Sequence, residues 1–329
     1  MSANWLAVPF GRFIDALDAS RLGHAWLIGG PAGLGKRDLA ERIGGVVLCQ
    51  NRAPGGDACG QCRGCHLRRA GTHPDLYRVG LELNDRGNPR TEIVIEQVRS
   101  LSERLAQSSH SGGRRIALVD PADALNTSSA NALLKTLEEP PAAVVMLLVA
   151  DQPSRLLSTV RSRCQRLDVR MPQPDQVLEW MLGQQVARDA AIRSIELAAG
   201  NPGEALSIAR NERMADGVLE DLLAMCTAAG SASEIARRWS GDAHLEARLD
   251  IALQFIRISM RTLAGGMESA DARMRRLTGY LEVAQLSDWF DQLGRLRARL
   301  SAPLRHELLL VEWLRQWVPR SMTRSKLRA

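Results

Sequence analysis

A short apolar run, Trp26-Leu27-Ile28-Gly29, leads straight into Gly30-Pro31-Ala32-Gly33-Leu34-Gly35-Lys36, and no other feature constrains the fold as strongly. A strand, a glycine-rich turn and a following helix make a phosphate-binding loop. The glycines let backbone amides approach an anion, and the lysine supplies charge. The next position breaks the pattern. A working loop carries Ser or Thr there, whose hydroxyl binds the magnesium that bridges the phosphates. Arg37 offers no acceptor oxygen and repels the metal. Gly30, Gly33, Gly35 and Lys36 therefore read as a degenerate phosphate loop. It leaves ATP binding open and makes hydrolysis unexpected.

The rest of residues 1 to 168 alternates strand and helix. Strand-like runs cover Ala25 to Gly29, Asp75 to Gly80, Arg115 to Asp120 and Val144 to Ala150. Helical patterns cover Arg37 to Cys49, Glu92 to Gln107 and Ser128 to Glu138. Such alternation predicts a mostly parallel sheet covered on both faces. Pro172 and Pro174 end the pattern, and everything after them reads as helix. In Gly200-Asn201-Pro202-Gly203, Gly200 suits a helix end and Pro202 a helix start. Further on, Ile251, Phe255 and Ile258, and then Leu308, Val311 and Leu314, recur at helical spacing. The chain's end carries Arg320, Arg324, Lys326 and Arg328 and is expected to be loose.

At 329 residues the chain has room for two or three domains. Its longest apolar stretch, Ala142 to Ala150, is far short of the roughly 20 residues that span a bilayer. Met1 to Phe10 lacks the basic start and apolar centre of a secretory signal. A cytoplasmic location is expected, and there cysteines are not read as disulfides. The net charge of +6 permits a nucleic-acid partner without requiring one.

Cys49, Cys59, Cys62 and Cys65 follow the spacing C-x9-C-x2-C-x2-C. Four thiolates fill a tetrahedron around zinc and leave no open position, so the expected ion is structural. Unrelated free thiols are the plainer reading. His66 is a competing ligand, awkwardly placed beside Cys65. Cys164 and Cys226 read as buried thiols.

Hydrolysis needs groups beyond the loop. Asp120 ends an apolar run, where it either caps a turn or keeps a residual metal contact. Pro121 follows where a carboxylate would orient the attacking water, and Asp123 lies too far along to replace it. Glu138-Glu139-Pro140-Pro141 reads as a helix stop and not as an acid–base pair.

Asn131-Ala132-Leu133-Leu134-Lys135-Thr136-Leu137-Glu138-Glu139-Pro140-Pro141 and Thr159-Val160-Arg161-Ser162-Arg163-Cys164 resemble the clamp-loader branch of the AAA+ ATPases. So do Gly71-Thr72-His73-Pro74-Asp75 and the four cysteines. The resemblance covers the first 170 residues in motif and the remainder in layout. It implies an AAA+ α/β domain over 1–168, with a zinc-binding insertion at 49–65. A small helical lid over 169–210 and a helical collar over 211–329 follow.

Against the family pattern the nucleotide site lacks four contacts. Arg37 stands for the metal-binding hydroxyl and Pro121 for the catalytic Glu. Asp151, after Ala150, lies near the sensor Thr or Asn, and Gly203 replaces the lid arginine. Each such contact adds transition-state stabilisation, so four losses argue against turnover. Arg163 is retained. Read alone, it is a surface arginine with an ion-pair partner. In this family it points out of its own subunit and serves as an arginine finger toward a neighbour's ATP. The implied role is a non-hydrolysing subunit of the DNA polymerase III (nucleotidyltransferase) holoenzyme. Its partners are then the gamma/tau and delta subunits, the sliding clamp and, through the assembly, primer-template DNA. A self-sufficient clamp-loader ATPase of the gamma/tau type is the alternative. A zinc-bearing nucleic-acid module is a third reading, for which no basic-aromatic stretch speaks.

Overall fold

A computed structural model describes residues 3–83, 90–242, 244–265, 269, 271–300 and 305–317. The basic positions Arg320 to Arg328 lie outside them. The chain divides into two compact units, Ser2–Met171 and Pro172–Ala329.

The first unit runs α1 (Ala7–Asp18), β1 (Ala25–Gly29), α2 (Lys36–Leu48), α3 (Arg63–Arg69), β2 (Leu76–Val79), α4 (Ile95–Ala106) and β3 (Arg115–Val119). It continues through α5 (Thr127–Glu138), β4 (Val144–Ala150), α6 (Ser158–Arg161) and β5 (Gln165–Asp168). All the strand pairings are parallel, in the order β2-β3-β4-β1-β5. This is the parallel sheet, covered on both faces, that the alternation of strand and helix predicts. Strands β1, β3 and β4 are buried along their whole length. That is why they read as continuous apolar runs and not as alternating ones. One face of the sheet packs Trp26, Ile28, Leu147 and Val149 against α1 and α2. The other packs Leu27, Met146 and Leu148 with residues of α4 and α5, among them Val98, Leu101 and Leu133.

Four elements of this unit, α1, α3, α6 and β5, fall outside the runs read from the sequence, and two of them show why. Strand β5 buries only Leu167 of its four residues, because it is an edge strand paired to β1 alone. Helix α1 buries Phe10, Phe13, Ile14 and Leu17, a helical stripe lying partly within the segment tested only as a signal peptide.

Buried polar groups fix the far side of the sheet. Asp75, fully buried just before β2, accepts hydrogen bonds from the amides of His110 and Ser111, both at 2.9 Å. It also accepts from the hydroxyls of Ser109 and Ser111. Its own amide donates to His73 Nδ1 at 3.2 Å. The Gly71–Asp75 motif thus ties the loop before β3 to β2. Arg115 opens β3 as a buried cation and donates to the carbonyls of Leu105, Gln107 and Ala142. These carbonyls include the end of α4, where a helix dipole favours positive charge.

The second unit is helical throughout its described residues. Helices α7 (Pro174–Gly183), α8 (Arg188–Leu197) and α9 (Pro202–Arg210) come first. Then follow α10 (Glu212–Cys226), α11 (Ala232–Ser240), α12 (Leu245–Leu263), α13 (Ala272–Thr278), α14 (Val283–Ala298) and α15 (His306–Arg315). Gly200 takes a left-handed backbone (φ 78°) between α8 and α9. Pro202 starts α9, and the Asn201 side chain accepts from the Glu204 amide. One apolar cluster runs from Val177 to Trp317. It includes a chain of indoles in which Trp289 stacks on Trp317 at 4.6 Å and Trp313 meets Trp317 edge-on at 5.5 Å. Ile251, Phe255 and Ile258 are buried as their spacing predicts. Leu308, in contrast, is 59% exposed, and the buried face of α15 runs through Leu310, Trp313 and Leu314. A buried carboxylate joins two helices of this unit. Glu204 of α9 pairs with Arg257 at 2.7 Å and Arg261 at 3.1 Å, both on α12.

Burial raises the Asp75 carboxyl, but the hydroxyl of Ser111 and the amides of His110 and Ser111 more than offset this and hold it below its usual range. A carboxylate depressed in the folded state stabilises above its unfolded pKa of about 3.9, and that contribution is lost as pH falls through the folded value. Asp75→Asn is therefore expected to lower stability at neutral pH by about 1–3 kcal/mol. It is also expected to flatten the acid limb of the stability profile below about pH 4. Urea unfolding across pH measures both.

Candidate functional site

The phosphate loop turns directly off β1. Gly30 has φ 150°, and a Cβ there would lie 2.2 Å from the Val169 carbonyl oxygen, so only glycine lets the chain leave the sheet at this point. Gly33 and Gly35 are left-handed, with φ 83° and 78°, and Gly35 sits immediately before α2. Trp5 donates its indole N–H to the Leu34 carbonyl at 3.0 Å and fastens the N-terminal segment to the loop. The backbone of a phosphate cradle is thus present.

Its charges are already matched from within. Lys36 opens α2 with its side chain 1% exposed. Its Nζ donates to the Pro31 carbonyl at 2.6 Å and lies 2.5 Å from Asp151 Oδ1. Arg37 Nε donates to Asp120 Oδ2 at 2.8 Å, and Arg37 Nη2 reaches Asp151 Oδ2 at 3.5 Å. Two cations and two carboxylates, drawn from α2 and from the ends of β3 and β4, close on one another. Burial lowers the Lys36 pKa against the pull of Asp151. Burial also raises the Asp120 carboxyl, and nearby Asp151 adds to the rise against the pull of Arg37. Asp120 therefore has a third role that neither sequence reading named: it is the partner of the arginine that replaced the metal-binding hydroxyl. Asp123 is engaged as well and accepts the amides of Asp151 and Gln152 at 3.3 and 2.8 Å. Asp151 is thereby held where it meets Lys36. Pro121 follows β3 in the place noted from the sequence and brings no carboxylate.

Arg163 lies just past α6 and is exposed. Its Nη2 is 2.6 Å from Glu138 Oε1, and its Nη1 donates to the Thr159 carbonyl at 3.0 Å. Glu138 is the last residue of α5, which ends as the following prolines require. The ion-pair partner of the plainer reading thus exists, and the guanidinium still faces solvent. Cys164 next to it is buried, donates to the Val160 carbonyl and is pushed up to about 12 by burial, as is Cys226.

Cys49, at the end of α2, meets Cys59, Cys62 and Cys65, whose last two sit at the start of α3. The four sulfurs all lie within 4.8 Å of one another. Cys49 Sγ is 3.9 Å from Cys62 Sγ, and Cys59 Sγ is 4.0 Å from Cys65 Sγ. A tetrahedron with Zn–S of about 2.3 Å has edges of about 3.8 Å, so the donor set fits zinc. Backbone amides already point at the sulfurs: Cys62 N to Cys59 Sγ at 3.3 Å, Cys59 N to Cys49 Sγ at 3.2 Å, and Cys65 N to Cys62 Sγ at 3.5 Å. Burial raises the Cys62 thiol, but the amides of Cys65 and Gln50 bring it down to about 6. Gly64 lets α3 approach the end of α2, since a Cβ there would lie 2.4 Å from the Leu48 carbonyl oxygen. His66 is not part of this group. Two ion pairs fasten the loop to the body: Arg52 with Asp18, and Arg42 with Asp57 at 2.6 Å. Neither pair was foreseen from sequence, because each joins residues separated along the chain with no motif between them.

The purified chain is expected to carry about one zinc ion, and Cys62→Ser to lose most of it, with elemental analysis after dialysis as the check.

With the geometry established, comparison with known proteins places the chain. A family model described as DNA polymerase III, delta subunit, matches residues 9–173. The DNA polymerase III subunit delta' of Pseudomonas aeruginosa is 36% identical over 309 residues, covering 88% of this chain and 91% of that protein. The subunit delta' of Escherichia coli is 38% identical over 206 residues, covering 62% of this chain and 60% of that protein. Among solved structures, a DNA polymerase III gamma subunit-related protein from Thermotoga maritima aligns with a TM-score of 0.41 and 18% identity, over 92% of this chain and 97% of that one. No described helix is long and apolar enough to cross a membrane. By the match in sequence across most of both chains, this protein belongs to the DNA polymerase III delta' subunit family.

Proposed function

We propose that this chain is a clamp-loader subunit that does not turn over ATP and instead supplies Arg163 in trans to the ATP site of a neighbouring subunit. The observation that carries the reading is a contrast within one domain. The two cations at the phosphate loop, Lys36 and Arg37, are spent on Asp151 and Asp120. The guanidinium of Arg163 stands exposed beside α6.

A triphosphate entering the loop has to displace Asp151 from Lys36, and it finds no hydroxyl at position 37 to share a magnesium ion. Lost contacts of this kind each remove stabilisation of the charge that develops on the transferring phosphoryl group. An arginine supplied from outside restores one such contact to an active neighbour, because a guanidinium carries fixed charge and a planar fork of donors that matches phosphate oxygens.

In this reading the four cysteines hold a structural zinc that shapes the 49–65 insertion. Residues 169–210 form a lid, and 211–329 form a collar that holds the subunit in a ring. The ring partners are gamma/tau and delta subunits, and the assembly acts in the cytoplasm to place the sliding clamp on primer-template DNA. Family membership supports the setting, and the self-neutralised loop supports the non-hydrolysing role.

Arg163→Ala in the reconstituted assembly is expected to remove the DNA-stimulated ATPase of the one site it faces, a loss of ~10³–10⁵ in rate at that site. The purified chain alone is expected to show no turnover. An unchanged rate with unchanged clamp loading in Arg163→Ala would remove the finger role, and ordinary turnover by the isolated chain would favour the motor alternative.

A further inference from the structure

The partner that Arg163 keeps within its own chain is itself informative. Glu138 closes α5, so its carboxylate sits at the negative end of a helix dipole, where acidic side chains are disfavoured. Glu139 follows immediately and adds a second negative charge. Helix stability gives no reason for an acid at position 138, and Pro140 and Pro141 already stop the helix. What Glu138 does have is Arg163, with Nη2 at 2.6 Å from Oε1.

That contact uses the chemistry a phosphate would use. The guanidinium offers its fork of N–H donors; the Glu138 carboxylate takes Nη2 and the Thr159 carbonyl takes Nη1. A phosphate oxygen approaching the same end meets donors already engaged. Both side chains remain open to solvent, at 36% and 50% exposure, so the pair can separate without disturbing the core.

We propose that Glu138 is a positioning residue that occupies Arg163 until the arginine is handed to an adjacent nucleotide, so that carboxylate and phosphate compete for one guanidinium. This rests on the reading of Arg163 as a finger. A group that is free only part of the time binds with an affinity reduced by the free fraction. Glu138 therefore weakens the engagement of ATP at the neighbouring site, and its removal tightens it.

The experiment uses the assembly reconstituted with its ATP-hydrolysing subunits and measures KM for ATP and kcat separately. Glu138→Gln keeps the size and a hydrogen-bond acceptor but loses the charge; Glu138→Ala loses both. Each is expected to lower KM by roughly two- to five-fold, the scale of an exposed ion pair, with kcat maintained. In an Arg163→Ala background, where that site no longer turns over, neither change is expected to move the Kd for a non-hydrolysable ATP analogue. A KM that stays the same or rises in Glu138→Gln overturns the proposal and leaves the finger standing, provided Arg163→Ala is impaired. A tightening of that Kd by Glu138→Gln without Arg163 also overturns it. If Arg163→Ala is indistinguishable from the parent, the finger reading fails and this inference fails with it.

Discussion

Four charged side chains that satisfy one another tie together the end of the sheet from which the glycine-rich turn departs. Lys36 and Arg37 begin one helix, and Asp120 and Asp151 follow two adjacent strands. The sheet order brings these ends together because β1 lies next to β4, and β4 next to β3. Of the four only Lys36 is fully buried, and a cation pulled from water needs an opposite charge at close range. Here those partners are Asp151 and Asp120, beside the glycine-rich turn. The two cations that follow the glycine-rich turn are therefore matched from within the chain.

The remainder of the first unit supports this arrangement. Asp123 holds the amides of Asp151 and Gln152, so the acid opposite Lys36 sits on a pinned turn. Gly30 permits the abrupt exit from β1, with the Val169 carbonyl packed where any side chain would begin. On the far side of the sheet, Asp75 and Arg115 gather loose amides and carbonyls from the loops that flank β3. Asp75 and Arg115 are thus each matched by several donors or acceptors. Arg163 differs in that it faces solvent and its hold is a single carboxylate and one carbonyl.

Much of this was legible in the sequence, for physical reasons that can be named. The three central strands were readable because strands buried on both faces must be apolar from end to end. Strand β5 was not, because an edge strand with one buried residue in four carries almost no signal. Helix α1 was readable in principle from Phe10, Phe13, Ile14 and Leu17, whose spacing is helical. The expectation of a degenerate phosphate loop rests on Arg37 and Pro121. The carboxylates that pair with its cations are not legible there. Nothing in a linear chain indicates that Asp120 turns toward Arg37, or that Asp151 reaches Lys36 across more than a hundred residues. Nor does it reveal that Glu138, read as part of a helix stop, faces Arg163. On α15 the spacing was read correctly for Val311 and Leu314, which pack on the core, but its first position was not: Leu308 sits outward, while Leu310 and Trp313 join the inward face.

The cysteine loop is fastened to the body at two points that owe nothing to its sulfurs. Arg52 reaches Asp18 at the end of α1, Gly55 donates its amide to the same carboxylate, and Arg42 of α2 grips Asp57 with two parallel bonds. The segment is therefore a cross-braced appendage and not a free flap closed by an ion. Loss of the sulfur cluster would therefore leave these two ties to α1 and α2 in place.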